Sequence, residues 1–214
     1  MNAGNSTDSL TKEKVRARVV FLKTQLTEWR WFWNAQHQHV VREVPSNRNP
    51  SGIDHPIFKS MLCTMLRFDS IVYAGDILLY NSALLWLMRL ESMLFPTAME
   101  PRTPSDIEWI QTATLHHPNN PLLLPGEARF FLQPAIEICR SVEDVFARLS
   151  VTQEVTMGLA LPIAVATSFI EQDKLLMTWL KEMQDAFAWS KTPLKWWSKK
   201  VDSKPSRSDG SVTQ

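Results

Sequence analysis

Five histidines, two cysteines and the spaced carboxylates Asp69 and Asp76 are the side chains here with the chemistry to hold a metal or move a proton. His37 and His39 stand two apart, and residues two apart on a helix face different ways, so they do not converge as an i, i+4 pair would. His116 and His117 are adjacent in a proline-rich stretch, and His55 stands alone. Asp69 and Asp76 are seven apart and share a helical face if one helix holds both. No second acidic pair or histidine repeats that arrangement, so the preferred reading is a helix cap and a satisfied or solvated carboxylate.

Cys63 and Cys139 allow at most one disulfide and cannot build a structural zinc site alone. Each lies in apolar surroundings of helical pattern, which favours a reduced, buried thiol. No Gly-x-Ser-x-Gly elbow or His-Glu-x-x-His motif is present, and the six glycines are too scattered to cradle a phosphate. The expectation is therefore no catalytic residue, no metal ligand and no cofactor site. The nine tryptophans, above all "WRWFW" from Trp29 to Trp33, read first as core packing with one ring exposed. Trp29 and Trp33 share a side by helical spacing, while Trp31 points elsewhere.

These residues must be positioned by helices. Val15, Val19, Leu22, Leu26, Trp29 and Trp33 recur at intervals of 4, 3, 4, 3 and 4, one apolar stripe on a helix from about Thr11 to Val41. "VPSNRNPSG" then makes a loop. The pattern over His55 to Phe68 fits a short helix before a long one from about Asp69 to Met93. In the long helix Val72, Ile77, Leu84 and Trp86 point around much of the circumference, which places it centrally, and Asn81 inside it needs a partner.

From Phe95 to Pro125 six of the thirteen prolines make a long connection, with Ser105 and Glu108 at capping-box spacing for a short helix. Ile138, Val142, Val145 and Leu149 then repeat at 4, 3 and 4 with Cys139 on the inward half. "VTMGLALPIAVATSFI" follows as a buried helix bent or started near Pro162, and Leu176, Trp179, Leu180, Met183 and Phe187 mark an amphipathic helix. No convincing alternating strand or hairpin signal is found. The fold class expected is all-α, a single domain of about six or seven helices over residues 11–189, followed by a basic tail at 190–214.

Charge narrows the partners. The whole chain carries +1, with a net +4 in the tail and −3 in the body, so no whole-surface field steers it to nucleic acid or anionic membrane. The start lacks the apolar core of a secretory signal. The longest uncharged run near the middle, Ile77 to Met88, has twelve residues where spanning takes about twenty. No membrane span is expected.

"LRFDSIVYAGDILLYNSALLWLMRL" resembles a helix in the regulatory domains of fungal zinc-cluster transcription factors, with Phe68, Ala74, Tyr80 and Leu90 in its typical places. "AIEICRSVEDVF" is similar to a further segment of that family at Ile138, Cys139, Arg140, Ser141 and Val142. "LALPIAVATSFI", with Pro162, Ala164 and Phe169, and "WLKEMQ" resemble the two helices that follow. The resemblance spans about Leu22 to Phe187 and implies the regulatory half only, because the six cysteines of the zinc cluster are missing. It implies a non-enzymatic role in transcription regulation in the nucleus, through a protein partner or a small effector. Sequence-specific DNA binding by this chain alone is not expected; the tail offers phosphate attraction without a framework for reading bases. The alternative is a helical enzyme or small-molecule-binding protein of a fungal biosynthetic pathway, acting in the cytoplasm.

Overall fold

The computed structural model describes residues 4–46, 62–94, 120–148, 153–170 and 178. Among them are four helices and one small antiparallel sheet. Helix α1 (Gly4–Gln36) runs 33 residues and stops where His39 takes φ +68°, a left-handed conformation that ends a helix. Strand β1 (Val41–Pro45) follows at once and pairs with β2 (Thr64–Phe68), with Val41 opposite Phe68 and Pro45 opposite Thr64. The ladder extends past both ends, from the Asp69 amide to the Val40 carbonyl at 2.9 Å and from the Ser46 amide to the Cys63 carbonyl at 2.8 Å.

The sheet corrects two expectations. The stretch read as helix through Phe68 ends in a strand, and the first helix stops five residues short of Val41. A two-stranded ribbon is marginal alone. This one is held because Met65, Leu66 and Phe68 are buried and because Asp144 accepts the Phe68 amide at 3.2 Å. Cys63, expected buried in a helix, lies exposed just before β2.

Helix α2 (Ile71–Leu94) begins behind Ser70, whose Oγ accepts the Val72 amide at 3.2 Å. Asp69 therefore precedes the helix rather than sharing a face with Asp76, and it pairs with Arg42 across 3.0 Å. Pro121 to Phe131 lead into helix α3 (Leu132–Arg148) through a turn at Gly126, where φ is +83° and a side chain would be strained. Gln133 Oε1 caps that start by accepting the Arg129 and Phe130 amides at 2.8 and 3.1 Å. Helix α4 (Gln153–Ile170) carries Pro162 inside it and buries Ile163, Val165 and Ala166 against α2 and α3.

α2 packs against α1, α3, α4 and β2, the central place expected of it, but α3 is the more completely buried helix. Every residue from Gln133 to Val145 is buried, including Gln133, Glu137, Arg140, Ser141, Glu143 and Asp144. α2 has one open side: Ile77 and Leu84 are buried, while Val72 and Trp86 are 64% and 53% exposed. By length and composition α2 is long and apolar enough to cross a membrane, and half of its most apolar window is buried against the rest of the chain. Six or seven helices were expected; the segments read as helices around Ile57, Ser105 and Trp179 lie outside the described residues.

Candidate functional site

The inward face of α1 carries Val19, Arg30 and Trp33, all buried, with Leu26 partly buried beside them. The row is turned by about one residue from the stripe of apolar spacing, so that Arg30 takes the inner position and Trp29 the rim. An arginine tolerates that place only if its charge is met. Arg30 Nη2 donates to Glu137 Oε1 at 3.1 Å and to the Leu123 carbonyl at 3.2 Å, while Nε donates to Asn34 Oδ1 at 3.1 Å. The guanidinium lies over the Tyr80 ring, 4.7 Å from its centre.

Glu137 is the hub of this arrangement. Besides Arg30 it accepts Asn81 Nδ2 at 2.8 Å and the Leu123 amide. Asn81 thus finds on α3 the partner that its place in α2 required. One carboxylate ties α1, α2, α3 and the segment before α3. Burial pushes the Tyr80 hydroxyl up to about 12, which Arg30 opposes and Glu137 reinforces. Arg30 Nη1 and Asn81 Oδ1 make no hydrogen bond among the described residues.

A second polar group joins α3 to the sheet. Arg140 Nη2 donates to Glu43 Oε1 at 2.6 Å and to Thr64 Oγ1 at 3.0 Å, and Ser46 Oγ donates to Glu143 Oε1 at 2.6 Å. Burial lowers the Arg140 pKa, with Glu43 and Glu137 acting in the opposite direction. One turn on, Asp144 receives Arg67 at 3.4 Å as well as Arg148. Cys139 lies between these groups, 0% exposed, with burial raising its thiol to about 12; it is a neutral packing group, not a thiolate.

The histidines fall elsewhere. His37 stacks on Trp33 with ring centres 4.7 Å apart, meets Tyr73 at 4.6 Å, and has Nδ1 2.9 Å from the Trp33 carbonyl oxygen. Trp33 Nε1 donates to Asp76 Oδ2 at 3.1 Å, so Asp76 orients a tryptophan. His39 occupies the turn after α1. Among the described residues no three His, Cys, Asp or Glu side chains are grouped to hold a metal. His55, His116 and His117 lie outside them.

What is presented outward is aromatic. On α1 Val20 and Trp31, and likewise Phe21 and Phe32, stand eleven residues apart, three helical turns, and form two adjacent rows. They are 50, 55, 50 and 65% exposed in that order. Arg18 lies over the Phe21 ring at 5.1 Å. The expectation for "WRWFW" was one exposed ring; Trp31 and Phe32 are both open, and Trp29 is open on one edge while its ring stacks on Tyr80 at 5.8 Å.

Comparison with protein-family models, with curated proteins and with solved structures finds no match.

Proposed function

We propose that the chain is a non-enzymatic regulatory domain, like the regulatory half of a fungal zinc-cluster transcription factor, which works in the nucleus by docking a protein partner. The observation that carries this reading is the outer face of α1, where Val20, Phe21, Trp31 and Phe32 stand exposed on the side of the helix away from its buried Arg30. Aromatic residues with a neighbouring arginine are the composition that protein interfaces concentrate. The buried charges favour it too: Arg30, Glu137, Arg140 and Asp144 are spent on one another and on the backbone. They hold helices, sheet and the segment before α3 together.

Phosphate attraction belongs to the basic tail at 190–214, so DNA binding by the chain alone is weak, sensitive to salt and indifferent to sequence. Address to a gene comes through another module or a partner. The test is to join the whole chain to an unrelated DNA-binding module upstream of a reporter. The tethered chain changes reporter output, and Trp31→Ala with Phe32→Ala removes the change while leaving the denaturation midpoint in place. A reporter indifferent to the tethered, correctly folded chain refutes the proposal.

A further inference from the structure

Helix α2 leaves one side open along its length. Val72, Leu79, Trp86 and Met93 recur every seven residues and are 64, 55, 53 and 71% exposed, with Ala83 and Leu90 exposed on the same side. The row is flanked by α1, through Trp33 on Asp76 and Trp29 on Tyr80, and by α4, whose Phe169 meets Trp86 edge-on at 6.4 Å. Its large side chains expose on the order of 500 Å², as much as the largest apolar patch a single chain ordinarily leaves in water.

We infer that this row seats the chain's own residues 174–187. α4 ends at Ile170, one residue after the Phe169 ring that touches Trp86, so the chain leaves α4 beside the row. Leu176, Trp179, Leu180, Met183 and Phe187 follow at helical spacing, with Lys174, Lys181 and Asp185 on the reverse side. Thr178 falls on that reverse side too, and it is helical and exposed, as the outer face of a docked helix must be. The lengths agree: fourteen residues of helix reach about 21 Å, and the stretch from Trp86 back to Val72 has the same span. An amphipathic helix laid along an apolar row is an established way of covering such a surface. α1 then keeps the open aromatic face.

Hydroxyl-radical footprinting of the purified full chain tests this directly. Trp86 and Met93 should label several-fold more slowly, after correction for intrinsic reactivity, than Trp31 and Phe32, at every protein concentration and with a monomer's mass. Trp179→Asp with Met183→Asp should bring Trp86 and Met93 up to the Trp31 level. Should that variant fail to fold, Leu79→Asp is read by hydrogen exchange, with faster exchange expected over 174–187. Trp86 and Met93 labelling as fast as Trp31 in the unaltered chain overturns the inference. So does protection that grows with concentration as the mass doubles, which assigns the row to a second copy.

Discussion

Arg30 and Arg42 each face a carboxylate oxygen, at 3.1 and 3.0 Å, and the similarity ends there. The side chains of Arg30 and Glu137 are 0% and 6% exposed, whereas those of Arg42 and Asp69 are 66% and 49% exposed. In water the attraction is screened and two long side chains must be ordered to gain it. Inside the fold the pair is drawn together strongly, yet each charge has already lost its water. Distance alone therefore says little about what a pair contributes. Its surroundings decide.

The sharpest way to break the comparison is to remove one partner from each pair. Glu137→Ala strands the Arg30 guanidinium, the Asn81 amide and the Leu123 N–H together. A loss of about 3–5 kcal/mol is expected, enough to threaten folding of a chain this size. Arg30→Met with Glu137→Leu removes both charges and should cost less than Glu137→Ala alone, because no uncompensated ion stays buried. Urea titration of the two variants measures the order. If the double variant is the less stable, the pair contributes more than its desolvation takes away.

Cys139 probes the same interior without charge. Cys139→Ser places a hydroxyl at a 0% exposed position and should destabilise by about 1–3 kcal/mol. An unchanged denaturation midpoint would mean that the hydroxyl finds an acceptor on the turn below.

High pH sharpens the comparison further. The folded Tyr80 titrates near 12 against an ordinary value of 10.0, so above pH 10 the unfolded chain gives up its proton first. The stability from the neutral hydroxyl is intact below pH 10 and is lost as pH rises toward 12, at up to about 1.4 kcal/mol per pH unit. Tyr80→Phe should flatten that slope. The Cys139 thiol, raised from 9.0 to about 12, adds a parallel loss beginning near pH 9. A slope over pH 10–12 that Tyr80→Phe leaves unchanged would show that Tyr80 is hydrated in the folded state.

Helical periodicity in the sequence anticipates α1, α2, α3 and α4, and the need of Asn81 for a partner is readable from its apolar neighbours. Glu137 as that partner is not readable, because the contact spans 56 positions and spacing within a helix says nothing about its neighbours. Arg30 escapes for a related reason. It stands between Leu26 and Trp33 at intervals of 4 and 3, which is a core position, but polarity marks it as surface. The same bias hides the burial of α3, whose polar side resembles a solvated face and instead meets Arg30, Asn81, Glu43 and Ser46. The sheet is missed because Met65 and Leu66 are adjacent apolar residues, which hides any alternation; its cause lies in β1 and Asp144.

The smallest effect belongs to the other half of the comparison. Arg42 sits on β1 opposite Arg67, and its Nη2 reaches Asp69 just beyond the end of β2. Both charges keep much of their hydration, so Arg42→Ala should cost only about 0.2–1 kcal/mol, and salt should erase most of that. The neighbouring Arg67 argues for the low end, since truncating Arg42 also relieves a like-charge contact across the strands. The measurement is urea unfolding of Arg42→Ala beside the unaltered chain at low and at physiological salt. A salt-independent loss above about 2 kcal/mol would show that Arg42 holds the sheet through its aliphatic stem rather than its charge.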